Sequence, residues 1–142
     1  MALTADDKAH IQAIWPCVAA HPAELGGEAL HRMFVCHPKT KTYFPGFDFH
    51  KDSAQIKAHG KKVVNALTEA SHHLDNIPGA LSKLSDLHAY DLRVDPGNFD
   101  HLRHHILVTM GCHFPDKLDC CTHQSMDKFL AAVGNALTSK YR

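Results

Sequence analysis

From Ser53 to Leu74 the sequence reads SAQIKAHGKKVVNALTEASHHL. Its apolar residues and one histidine recur every three or four positions, at Ile56, His59, Val63, Leu67, Ala70 and Leu74. Because a helical turn contains about 3.6 residues, these positions share one face. The segment therefore predicts an amphipathic helix whose apolar face carries an imidazole.

The sequence before this segment also predicts helices, and strand-like alternation is absent from the chain. Thr4 and Asp7 resemble a capping box that opens a first helix, in which Pro16 is expected to cause a kink or an interruption. A second helix can open at Pro22 and stop at the His-Pro pair that follows. Residues 39–52 predict at most one helical turn and then an aromatic loop rich in phenylalanine.

The sequence after Leu74 continues the helical pattern. Residues 75–79 break it, and a shorter apolar stripe then leads to His88. The Asp-Pro pair at 95–96 predicts the cap and first turn of another helix, and a last helix is expected to begin near Asp119. The whole chain is thus predicted to be an all-α protein of six to eight helices, forming a single domain over residues 1–142.

Two glycine sites indicate how helices pack. Gly60 lies in the middle of a predicted helix, where glycine is less stable than alanine by about 0.5–1 kcal/mol. Gly26 and Gly27 lie inside the second predicted helix. We interpret the two sites as counterparts that allow a close backbone approach, rather than as ligand contacts.

Composition excludes several functional classes. The chain has 142 residues, 44% of them hydrophobic and 21% charged, which is typical of one globular domain. Its formal net charge of zero argues against a nucleic-acid or anionic-membrane partner. No apolar run approaches the roughly 18 residues of a membrane span, and no signal-peptide pattern opens the chain. We expect a soluble intracellular protein that is not secreted, and the five cysteines, without a C-x-x-C pair, predict reduced thiols.

Histidine is unusually frequent, with fourteen residues, and most are expected at the surface. The pairs at 72–73 and 104–105 lie among polar neighbours. His101 and His105 have a spacing of four that suits a metal, but the sequence offers them no third ligand. We interpret these histidines as solvated side chains.

His59 and His88 differ, because each lies on the apolar stripe of its own predicted helix. Taken singly, each is compatible with a neutral, hydrogen-bonded core histidine. Taken together, beside the phenylalanine-rich loop, they suggest opposite walls of one pocket. A flat metal macrocycle needs such a pocket: one imidazole on the metal, apolar walls, and a polar group over the free face.

Three blocks of sequence resemble the globin family. Residues 42–48, TYFPGFD, are similar to the loop that wedges the haem in globins. Residues 58–63, AHGKKV, resemble the distal helix of that family, and residues 84–89, LSDLHA, resemble the proximal helix. The resemblance extends over essentially the whole chain and implies a globin fold, in which helices surround a haem pocket.

Two further blocks, LRVDPGNF at 92–99 and LTSKYR at 137–142, are similar to the α chains of vertebrate haemoglobin. This resemblance implies reversible dioxygen transport on ferrous haem b, iron protoporphyrin IX, by the α subunit of a cooperative α2β2 tetramer with β chains. It also implies a location in the cytosol of red blood cells and a carrier rather than an enzyme. Nitric oxide or nitrite chemistry on the same fold is the alternative, and a histidine-rich metal buffer is a third.

The resemblance implies specific roles at the haem. His88 is the implied proximal iron ligand, with its second nitrogen oriented by the backbone carbonyl of Leu84. His59 is the implied distal residue that contacts bound dioxygen, and Val63 stands beside that ligand. The other residues implied to enclose the haem are Tyr43, Phe44, Phe47, Leu84, Leu87, Val94, Asn98, Phe99, Leu102 and Leu137.

The resemblance also implies contacts between subunits. Those with β chains are a sliding contact, with Tyr43, Asp95 and Asn98, and a tighter one, with Arg32, His104 and His123. Tyr141 and Arg142 form an implied terminal latch. In the low-affinity state Arg142 is implied to pair with Asp127 of the other α chain.

Overall fold

The structure is a computed structural model that describes residues 2–92 and 95–139, with side chains at all of these except residues 90–92. The described residues form seven α-helices and no strand, which confirms the all-α prediction. The helices are α1 Ala5–Ala19, α2 Pro22–Cys36, α3 Ala54–Ser71, α4 Ile77–Ala80, α5 Ser82–Asp86, α6 Gly97–His113 and α7 Cys120–Thr138. A 3-10 helix, Pro38–Tyr43, follows α2, and a π-helical segment, Leu87–Leu92, follows α5.

Helix starts follow the sequence signals. The predicted capping box is present, because the Thr4 N–H donates to Asp7 Oδ2 at 2.9 Å and the Asp7 N–H donates to Thr4 Oγ1 at 3.1 Å. Asp119 caps α7 by accepting from the Thr122 N–H at 2.9 Å. The Asp95 side chain accepts from the N–H of Gly97, the first residue of α6, at 2.9 Å. Helix α6 therefore begins one residue later than predicted.

Three predictions about local structure are corrected by the structure. Of the kink or interruption predicted at Pro16, the interruption is absent, because the missing N–H affects a single carbonyl and the helix ends within one turn, at Ala19. Residues 75–79 do not simply break the pattern, since the Asn76 side chain accepts from the N–H of Gly79 and caps the short α4. His105 is not a surface residue: it is 5% exposed, on a face of α6 that meets the end of α2.

Packing of α2 across α3 depends on glycine. A Cβ atom on Gly26 would lie 2.2 Å from the carbonyl oxygen of Gly60, and one on Gly60 would lie 2.3 Å from the carbonyl carbon of Gly26. The two backbones are therefore in direct contact, as the sequence predicted. This crossing fixes the position of α3, and with it that of His59.

Most buried apolar side chains form one large cluster from α1, α2, α3, α4, α6 and α7, in which Trp15 and Phe129 meet edge to face with centroids 6.2 Å apart. A smaller cluster joins Leu30, Met33 and Phe34 of α2 to Ile56 of α3. Within the part of the chain that is described, no helix has the length and apolarity needed to cross a membrane.

A buried polar network holds α1 on α7. Lys128 Nζ donates to Asp7 Oδ2 at 2.6 Å, and Ser125 Oγ donates to Asp7 Oδ1 at 2.8 Å. Nδ1 of His10 lies 2.9 Å from the same Ser125 hydroxyl. The ammonium group of Lys128, followed by the Thr4 and Ser125 hydrogen bonds, holds the pKa of Asp7 well below its ordinary value of 3.8.

We expect Asp7→Asn to destabilise the protein at pH 7 and to make its stability less sensitive to acid. A carboxylate whose pKa is lowered by folding stabilises the native state above its unfolded pKa, and this contribution is lost as the pH falls through the lowered value. Urea unfolding at pH 7 and below pH 4 measures the effect. The exposed neighbour Asp6, changed to Asn, is the control. Equal pH profiles for the parent and Asp7→Asn would show that the network is not a stabilising one.

Candidate functional site

The His88 side chain is held in a defined orientation after α5. Its Nδ1–H donates to the carbonyl oxygen of Leu84 at 2.8 Å, the partner that the resemblance implied. Since a carbonyl only accepts hydrogen bonds, the neutral ring keeps its proton on Nδ1 and leaves a lone pair on Nε2. His88 also lies at the π-helical segment, a local widening of the helix that is frequent at functional sites. The half-buried imidazole is therefore prepared to ligate a metal through Nε2.

The His59 side chain lies on α3 between two aromatic rings. Its ring centroid is 5.0 Å from that of Phe44 and 6.3 Å from that of Phe47, both in edge-to-face geometry. Burial lowers the pKa of His59 below its ordinary 6.5, and the charge of Lys62, with that of His88 when it is protonated, lowers it further. The ring is therefore neutral at pH 7 and offers one N–H donor.

Apolar side chains line the region around the two histidines. The Phe99 ring lies 5.5 Å from that of His88, and Leu102 packs against both apolar clusters. The half-buried residues at the edge of these clusters are Phe44, Phe47, Val63, Leu84, Phe99 and Leu102, while Leu137 is buried. The structure thus brings Phe44 and Phe47 to His59 and Phe99 to His88, and it packs the other predicted lining residues named above in or against the two apolar clusters.

Tyr43 and Asn98 both bond to the backbone of Asp95. Tyr43 Oη accepts a hydrogen bond from the Asp95 N–H at 3.2 Å, and the Asn98 N–H donates to the Asp95 carbonyl at 2.9 Å. The first of these bonds connects the 3-10 helix to the segment that leads into α6. Val94, another predicted lining residue, lies outside the described residues, as do Tyr141 and Arg142.

These residues fit haem b. Leu87, next to His88, is 40% exposed and presents apolar surface that a flat apolar ring would cover. The free Nε2 of His88 suits iron, and the neutral ring of His59 supplies a polar group among the phenylalanines. The donor set, one imidazole with apolar walls, is the type that holds a haem.

Sequence reasoning missed two residues that support the site. Ser85 is 3% exposed, and its hydroxyl donates to the Leu137 carbonyl at 3.5 Å, which ties α5 to α7 one turn before His88. Ser85 lies three residues before His88 and therefore on the same apolar stripe, so its burial could have been predicted from the sequence. Phe49, whose ring lies 4.9 Å from that of Phe34, anchors the aromatic loop, but no local pattern indicates that contact.

Comparison with known proteins identifies the family. The Globin family profile matches residues 27–137. The chain is 69% identical to hemoglobin subunit alpha of Xenopus tropicalis over 142 residues, covering all of both chains. It is 70% identical to hemoglobin subunit alpha-2 of Telmatobius peruvianus over 137 residues, which cover 96% of this chain and all of that one. It is 64% identical to hemoglobin subunit alpha-C of Aquarana catesbeiana over the full length of both. The chain therefore belongs to the globin family and, within it, to the haemoglobin α chains.

Proposed function

We propose that the chain carries dioxygen on haem b as the α subunit of a haemoglobin. The observation that carries this proposal is the orientation of His88, whose Nδ1–H is bound to the Leu84 carbonyl and whose Nε2 has no hydrogen-bond partner among the described residues. When bound, the haem iron supplies reversible dioxygen binding. The surrounding residues have to hold the haem, keep water out and offer a polar contact to the bound dioxygen.

His88 would be the residue that holds the iron. The Leu84 carbonyl fixes its tautomer and ring angle, and a hydrogen bond of this kind also makes the free nitrogen a better ligand. Ser85 holds the preceding turn against α7. Loss of either contact would free the imidazole of His88 to rotate from its present orientation.

His59 would provide the polar contact to the bound dioxygen. Because its ring is neutral, one nitrogen can donate a hydrogen bond to a ligand that acquires partial negative charge, and such bonds are stronger than neutral ones. Phe44, Phe47 and Val63 keep the space near this donor apolar. Exclusion of water and anions protects ferrous iron from oxidation.

The relatives are named as subunits, and we propose that this chain likewise works in an α2β2 tetramer with β chains, in the cytosol of red blood cells. Tyr43 and Asp95, implied in the sliding contact, are bonded to each other within this chain. Asp127, the implied partner of Arg142 in the other α chain, here pairs with Arg103 of its own chain at 3.5 Å. We propose that a carrier, rather than an enzyme for nitric oxide or nitrite, uses these interfaces.

We expect His59→Leu to raise the dioxygen dissociation rate about 10- to 100-fold, because a hydrogen bond to a charged group contributes about 1.5–3 kcal/mol. The dissociation rate of carbon monoxide, a less polar ligand, should change less in the same variant. Stopped-flow displacement on the haem-loaded chain measures both rates. His72→Leu is the matched control, since His72 is an exposed histidine at the end of the same helix.

Oxygen equilibrium curves of the same samples test the function itself. The haem-loaded chain should bind dioxygen reversibly, and mixing with β chains should make the curve sigmoidal. Unchanged dioxygen dissociation in His59→Leu would contradict the role of His59. Failure of the haem-loaded chain to bind dioxygen reversibly would contradict the proposed function.

A further inference from the structure

Four histidines meet where α2 ends against α6. His37 caps the end of α2, and His101, His104 and His105 come from α6. The rings of His37 and His101 are stacked, with centroids 3.7 Å apart and planes at 18°. His105 touches His37 at 5.4 Å and His104 at 4.9 Å, both edge to face. We call these four residues the histidine joint.

The joint is built for neutral rings. His105 is 5% exposed, and its Nε2 atom has no hydrogen-bond partner among the described residues. A protonated imidazole carries an N–H on both nitrogens, so a charge on His105 would leave a buried donor without an acceptor. The stacked rings of His37 and His101 are also too close to carry two positive charges without strong repulsion.

The charges that act on His37 and His105 are all basic. Those on His105 come from His104, His37, Arg32 and His101, and those on His37 come from His101 and His104. Burial, followed by these charges, lowers the pKa of His105 to about 4, and burial followed by the charges of its neighbours likewise lowers the pKa of His37.

Charged groups on the adjoining elements have other partners. The carboxylate of Glu28 on α2 pairs with Arg32 and with His113, and Asp127 on α7 pairs with Arg103. Lys41 of the 3-10 helix lies over the Phe49 ring. Each proton added to the joint therefore increases the repulsion within it.

We propose that the histidine joint is a proton-sensitive connection that holds the end of α2 on α6 while its rings are neutral and releases it when they are protonated. The release would extend to the haem site through the backbone. The His37 N–H donates to the Met33 carbonyl at 2.7 Å, and the Thr40 N–H donates to the His37 carbonyl at 2.9 Å. Thr40 lies in the 3-10 helix that leads to Tyr43 and Phe44, so an open joint loosens the segment that carries those residues.

Hydrogen exchange of the haem-loaded full chain tests the proposal. Between pH 7 and pH 5, after correction for intrinsic exchange, protection of the amides of residues 34–37 and of Thr40 should fall about tenfold more than that of amides in α7. The sign follows from linkage, because the open joint binds protons that the closed joint excludes. Protection of these amides that changes in step with α7 would overturn the proposal.

The double variant His37→Phe, His105→Leu replaces the two imidazoles with apolar side chains of similar size. Neither of the new side chains can be protonated. It should lose the extra pH dependence, whereas the control His72→Phe should keep it. A double variant that retains the parent's profile would also overturn the proposal. If the variant does not fold, proton NMR of the parent decides: ring signals of His37 and His105 should titrate below the ordinary 6.5, and titration of both at that value refutes the joint.

Discussion

Gly60→Ala is expected to force α2 and α3 apart and to lower the free energy of unfolding by about 3 kcal/mol, the upper part of the range for overpacked sites. The new Cβ atom would lie 2.3 Å from backbone atoms of Gly26 and Gly27, which cannot rotate away as a side chain could. Alanine is the better helix former by about 1 kcal/mol, so the clash has to exceed this gain. Because His59 is the preceding residue, the shift should also displace the distal imidazole.

Urea unfolding followed by circular dichroism measures the change in stability. Gly111→Ala is the matched control, since Gly111 also lies within a helix and its Cβ would be 3.7 Å from Leu118, an ordinary contact. We expect that control to be as stable as the parent or slightly more so. Equal stability of Gly60→Ala and Gly111→Ala would show that the two helices are not in backbone contact.

His88→Gly is expected to accelerate haem loss more than about 100-fold, because even the loss of an outer-shell partner of a metal ligand costs about 10- to 100-fold in affinity. The variant loses the imidazole and leaves a space of the same shape on the His88 side of the site. Free imidazole should enter that space, ligate the iron through its own ring nitrogen in place of Nε2, and slow haem loss again. Transfer of haem to an acceptor protein in excess measures the rate.

The exposed His72, changed to Gly, is the control for a general loss of stability. It should keep its haem, and added imidazole should have no effect on its rate of loss. A parent-like rate in His88→Gly, or the absence of rescue by imidazole, would show that the iron is held elsewhere.

Much of the fold could be predicted because helix signals are local. Thr4, Asp95 and Asp119 mark helix starts that lie within one residue of those observed. Pro16 misled the prediction, since a proline in the last turns of a helix costs little when the helix is about to end. Asn76 was overlooked because a single capped turn leaves almost no periodic pattern.

The site could be predicted in part for the same reason. His59 and His88 share the apolar stripes of their helices, and this pattern alone singled them out of fourteen histidines. Their separate roles came from the resemblance to globins. The sequence analysis wrongly put His105 at the surface, because its face of the helix also carries polar residues. Its burial depends on contact with His37, which is distant in the sequence. Contacts between remote segments leave no local pattern that could be read beforehand.

We propose that His88 binds the haem iron through Nε2. Resonance Raman spectroscopy of the ferrous, ligand-free, haem-loaded chain observes that bond directly. We predict an iron–nitrogen stretching band that shifts when the histidines carry nitrogen-15, persists in His59→Leu and is absent from His88→Gly without added imidazole. A band that survives in His88→Gly, or one that is lost in His59→Leu instead, would contradict the claim.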